Sequence, residues 1–206
     1  VTLSDGDCIY VAASDCTGHG VPGSLMSMIG INFLGQNIRE SETFDTAEIL
    51  NKLHTNVISA LQKESNPTGT KDGMDIALLG FHPRKKQIKF SGALRPLYHF
   101  KNGSIEIVSG DRFSVGGDIE YKNKTFSSTL IPYEKGDTFY LFTDGIADQF
   151  GGEHGKKLMA KNLQRLLANV QSKSMEEQKI SIENAFNDWK GSLSQVDDVL
   201  IIGIRL

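Results

Sequence analysis

Cys8 to Ser14 (CIYVAAS) is an unbroken apolar run behind an Asp5-Gly6 turn signal, which predicts a buried strand. From Val21 to about Ile38, Leu25, Met26, Ile29, Phe33 and Leu34 fall on nearly every side of a helical period, so the expected helix is mostly buried. A second helix starts at Asp45, an N-cap residue with Glu48 three positions on. Its apolar face runs through Ile49, Leu50, Leu53, Val57, Ile58 and Leu61.

The period then shortens. Strands are predicted at 75–81, 87–91, 97–100, 104–108, 125–131 and 138–143. The turn signals Asn102-Gly103 and Lys135-Gly136-Asp137 favour antiparallel hairpins. Two further helices follow. One carries Leu158, Met159, Leu163, Leu166, Leu167 and Val170; the other opens on the capping box Ser174–Glu177 and carries Ile180, Ala185, Phe186 and Trp189. The closing run, Val199 to Leu206, reads as a strand apolar enough to be central in its sheet. Two helices, about six strands, two helices and a last strand make an α+β layered domain. With no internal repeat or low-complexity linker, residues 1–206 are expected to form one domain.

Composition narrows the function classes. Hydrophobic residues at 39% and charged residues at 23% suit an ordered globular chain. Lys and Arg number 22 against 25 Asp and Glu, and a net charge of −3 leaves no electrostatic case for nucleic acid. The longest apolar runs are far too short to span a bilayer, and no secretory leader is visible. The first residue is Val1 rather than Met, so the chain reads as a piece of a longer protein. Cys8 and Cys16 are too few for a disulfide scaffold, which suggests a reduced, cytoplasmic setting.

The segment SDCTGHGVPGSL, residues 14–25, offers two kinds of chemistry. Gly18 to Gly23 fits the G-x-G-x-x-G spacing of a dinucleotide turn. That turn needs a second parallel strand and an acidic residue roughly 20 residues on, whereas here another helix follows. Asp15 offers the other chemistry. Asp15 and Asp144 close predicted strands, and Asp197-Asp198 opens the last one. In antiparallel sheets these ends lie side by side, so three carboxylates could gather at one edge, with a divalent metal to offset their repulsion. Taken singly, Asp15 would suit a helix cap, Asp144-Gly145 a turn, and Asp197-Asp198 a solvated turn. All-oxygen ligands favour Mg or Mn over zinc.

Asp15 to Gly23, Gly136-Asp137 through Asp144-Gly145, and Asp197-Asp198-Val199-Leu200 resemble, in order, the motifs of the SpoIIE-like (RsbU-type) bacterial protein serine/threonine phosphatases. These are the bacterial branch of the metal-dependent type 2C phosphatase superfamily. The resemblance runs from about Asp5 to Leu206, and residues 151–157 with the Trp189 helix resemble a subgroup found at the C-terminus of larger sensor proteins.

It implies an αββα sandwich of two antiparallel sheets flanked by helix pairs, and two Mn or Mg ions. Asp15 would bridge the ions, the main-chain carbonyl of Cys16 would bind one, and Asp144 and Asp197 would hold the other. Asp198 replaces Asp197 if the register differs by one. A water shared by the metals would attack a phosphoserine or phosphothreonine in line. His19 is the candidate general acid, with a structural turn histidine as the alternative.

The family's upstream Gly-Asp motif is absent, so the N-terminal strand is expected to be missing. The free edge this leaves invites association, giving a dimer. Ala93-Leu94-Arg95-Pro96 departs from the family's pattern of small residues and His or Asn, and Arg95 is given no role. By the same resemblance the partners are a phosphoprotein substrate, such as a STAS-type anti-sigma-factor antagonist, and an upstream sensor domain that can be membrane-anchored. The competing class is a binding module, an impaired phosphatase that relays signals by contact.

Overall fold

The computed structural model describes residues 2–5, 8–18, 20–61 and 72–206. The chain divides into two compact units, each built on one antiparallel sheet. The expected α+β class and antiparallel pairing are what is observed.

The first unit comprises Val1–Leu97 and Val108–Tyr133. It contains β1 (Thr2–Asp5), β2 (Cys8–Cys16), α1 (Gly20–Arg39), α2 (Thr46–Ala60), β3 (Met74–His82), β4 (Gln87–Ala93) and β7 (Thr129–Ile131). The strand order is β1-β2-β3-β4-β7. The expectation of a missing strand before Cys8 is corrected: Thr2–Asp5 pairs with β2, with Thr2 opposite Val11 and Asp5 opposite Cys8. A turn signal as short as Asp5-Gly6 leaves room for a strand ahead of it, and four residues fill that room.

Helix α2 forms where predicted. Asp45 caps it by accepting the Ala47 N–H at 3.0 Å, and Ile49, Leu50, Leu53 and Val57 are wholly buried with Tyr10, Ile76 and Leu78 in one core. Helix α1 is less buried than its composition suggests. Met26, Leu34 and Ile38 face the core, while Val21, Leu25, Met28 and Ile31 lie exposed. The predicted strand at 125–131 shortens to β7, because Asn51 Oδ1 accepts the Phe126 N–H and Phe126 enters the helix-side core.

The second unit comprises Tyr98–Ile107 and Glu134–Leu206. Its sheet has the order β11-β8-β5-β6, from β5 (Leu97–Lys101), β6 (Ser104–Val108), β8 (Thr138–Phe142) and β11 (Ile201–Arg205). Around it stand α3 (Gly145–Asp148), the two-stranded ribbon of β9 (Phe150–Gly151) and β10 (Lys156–Lys157), α4 (Ala160–Asn169) and α5 (Met175–Lys190). Asn102 and Gly103, with φ of 50° and 77°, turn β5 into β6 as their sequence predicts. Ser174 and Glu177 close the predicted capping box on α5. Tyr98, Phe100, Tyr140, Phe142, Leu163 and Leu167 fill the core.

The last strand is the exception. β11 lies at a sheet edge, paired with β8 alone among the described residues, and is only half-buried. An apolar run reports on its faces; the number of hydrogen-bonded neighbours depends on strand order, which the run does not encode. No described helix is long and apolar enough to cross a membrane.

Candidate active site

In the first unit the sheet sets the geometry. Asp15 is the penultimate residue of β2 and stands directly opposite Asp75 on β3. It remains part of the strand, several residues short of α1, so it does not cap that helix. Two carboxylates opposite each other across an antiparallel pair repel. Arg95, on the segment joining β4 to β5, offsets this. Its Nη2 lies 3.0 Å from Asp75 Oδ2 and 3.4 Å from Asp15 Oδ2. Ser114 donates its hydroxyl to the second Asp75 oxygen at 2.6 Å. Cys16 is the last residue of β2. β2 has antiparallel partners on both sides, so the parallel strand that a dinucleotide turn requires is not beside it.

In the second unit two chain segments converge. Asp144 follows β8 and leads into α3, where its carboxylate makes no capping bond. Asp197 precedes β11, and each of the two residues offers a carboxylate oxygen within 4.8 Å of the other's. The approach depends on Gly145. A Cβ there would stand 2.3 Å from the Asp198 carbonyl oxygen and 3.4 Å from Asp197 Cβ.

The Asp197 segment is tied down on both sides. The buried Gln149 accepts the Val196 N–H and donates to the Ser194 carbonyl at 3.0 Å. Thr143 donates its hydroxyl to the Asp198 carbonyl at 3.0 Å and accepts the Leu200 N–H. Asp198 spends its own N–H on Asp197 Oδ1 at 2.7 Å. Asp197 is thus the member of the Asp-Asp pair brought beside Asp144.

The donors here are carboxylate oxygens, a set that suits a hard divalent cation, and the space cleared by Gly145 lets two of them meet. His19 lies outside the described residues. Arg95, Asp75 and Gln149 are not singled out as site residues by the sequence pattern. The one available signal was the departure at Arg95 itself, because partners 20 and 80 residues away along the chain leave no local pattern.

The family comparison matches residues 5–206 to stage II sporulation protein E (SpoIIE), and the chain belongs to that family. The fold is that of PP2C phosphatase domains, and the chain is a protein serine/threonine phosphatase domain of this type. The SiaA PP2C domain of Pseudomonas aeruginosa is 29% identical, with a TM-score of 0.87 over 100% of this chain and 79% of that one. The PP2C phosphatase domain of SpoIIE from Bacillus subtilis, solved with a fragment of its regulatory domain, is 17% identical at a TM-score of 0.76. This chain is covered in full and spans 57% of that one. The RsbU and RsbW domains of Rv1364c from Mycobacterium tuberculosis give 18% identity and a TM-score of 0.74, covering 100% of this chain and 53% of that one. A comparison with curated protein sequences finds no match.

Proposed function

We propose that this chain removes phosphate from phosphoserine or phosphothreonine on a regulatory protein in bacterial signalling, using Mn or Mg. In this reading residues 1–206 are one catalytic domain. Asp15 with the Cys16 main-chain carbonyl, and Asp144 with Asp197, are its metal ligands. The bound ions would supply an acidified water for in-line hydrolysis of the phosphoester. The chain's own contribution is to hold hard oxygen donors in place: Asp15 at the end of a paired strand, and Asp197 on a segment clamped by Gln149 and Thr143. His19 is proposed as the proton donor to the leaving alkoxide.

The observation that carries the reading is the convergence of Asp144 and Asp197 around Gly145, inside a family match running from residue 5 to 206. The Mycobacterium tuberculosis neighbour carries RsbU and RsbW domains in one protein. By analogy the substrate proposed here is a phosphorylated STAS-type antagonist. The proposed setting is the cytoplasm, downstream of a sensor domain in the same parent protein.

The experiment is phosphate release from p-nitrophenyl phosphate and a phosphoserine peptide, with and without Mn²⁺. Asp144→Asn is expected to lose metal-dependent turnover by on the order of a hundredfold or more, since even residues that only support metal ligands cost ten- to a hundredfold. Equal turnover by wild type and Asp144→Asn would refute the assignment.

A further inference from the structure

We propose that Arg95 is a resident cation that competes with the divalent metal for Asp15, and that Asp75 is the anchor that sets how strongly it competes. This inference rests on the reading of Asp15 as a metal ligand. Its basis is a network contained within the first unit. Asp15 and Asp75 are cross-strand neighbours, one guanidinium nitrogen serves both, and Ser114 fixes the far oxygen of Asp75. The shorter contact, 3.0 Å, goes to Asp75, and the longer, 3.4 Å, to Asp15. The guanidinium is therefore held chiefly by the anchor and lent to the ligand.

The backbone carrying Arg95 is built for this placement. Leu94 takes a left-handed conformation, φ 59°, although it is not a glycine, and its N–H is held by the Asp111 carbonyl at 2.8 Å. Pro96 confines Arg95 to extended backbone. The Arg95 carbonyl then passes so close that a Cβ on Gly92 would stand 2.2 Å from it, and one on Gly110 2.8 Å. The left-handed turn at Leu94 and the two glycines that clear space for the Arg95 carbonyl together fix the backbone from which residue 95 projects its side chain. That side chain is an arginine with 12% of its surface exposed, and its charge stays on at any working pH.

The electrostatic consequence has a sign. A cation fixed beside Asp15 lowers the negative potential a metal would meet there, so it weakens metal binding while stabilising the metal-free sheet. Removing the cation should tighten binding. Neutralising Asp75 should weaken it, because the whole charge of Arg95 then falls on Asp15. Arg95 is thus a positioning residue that acts through Asp15.

The test is isothermal titration of the 206-residue chain with MnCl₂, together with its metal-free melting temperature. Arg95→Met is expected to bind Mn²⁺ about tenfold more tightly, with a lower metal-free melting temperature; Asp75→Asn is expected to bind about tenfold more weakly. Arg95→Lys keeps the charge and should stay near wild type. If Arg95→Met does not fold, Arg95→Gln, which removes the charge but keeps an amide donor for Asp75, reads the same sign. A purely structural arginine would lower the melting temperature and leave the Mn²⁺ affinities of Arg95→Met and Asp75→Asn unchanged or both weaker, and that result overturns the proposal. Absence of Mn²⁺ binding by the wild type would overturn both this inference and the metal reading beneath it.

Discussion

Asp144 and Asp197 meet because of two residues that carry no charge. Gly145 leaves out the one carbon that would collide with the Asp198 carbonyl, and Gln149 fixes the segment on which Asp197 rides. Gly145→Ala therefore has a definite expected outcome. The added methyl must push the 197–198 segment away, at a cost of about 1–3 kcal/mol in overpacking. Mn²⁺ affinity should fall with it although every carboxylate is still present; a titration matching wild type would show that the close approach is not needed. At this scale the sequence was partly readable. Asp15 and Asp144 stand at strand ends, which short local patterns disclose, and Asp197 lies four residues ahead of β11 rather than at its start. Gln149 and Arg95 act through partners 20 to 80 residues away, and no local pattern records such pairs.

At the scale of elements, whatever is set by neighbours in sequence could be read in advance. The Ser174–Glu177 box, the Asn102-Gly103 turn and the buried face of α2 all stand where local chemistry puts them. The edge position of β11 and the exposure of one face of α1 depend on what packs alongside, and they were misread. Tyr140 shows how β8 and α5 are joined. Its hydroxyl donates to Gln178 on α5 and accepts from Gln171 at 2.8 Å. Burial raises this hydroxyl above its ordinary value, opposed by the Gln171 hydrogen bond and the Arg205 charge. A group raised in the fold contributes its stability fully below the unfolded value and loses it as pH climbs past about 10. Melting temperatures measured between pH 8 and 11 should therefore fall more steeply for wild type than for Tyr140→Phe. Parallel curves would mean that Tyr140 ionises as freely in the fold as out of it.

For the molecule as a whole, β1 has more influence than its four residues suggest. It is the outermost strand of the first unit's sheet and covers the free side of β2. Deleting residues 1–5 would bare that side, and unpaired N–H and C=O groups recruit other chains. The shortened protein should melt lower and show concentration-dependent association by light scattering; a monodisperse, equally stable product would mean that β1 contributes nothing. The same pairing bears on how the protein is prepared for study. With Thr2 opposite Val11, a ladder continued ahead of Thr2 in the same register would bring a position about four residues upstream of Thr2 level with Asp15. A polyhistidine tag fused there would lay imidazole chelators beside the proposed metal ligand. Affinity tags for any metal titration of this protein therefore belong at its carboxyl end.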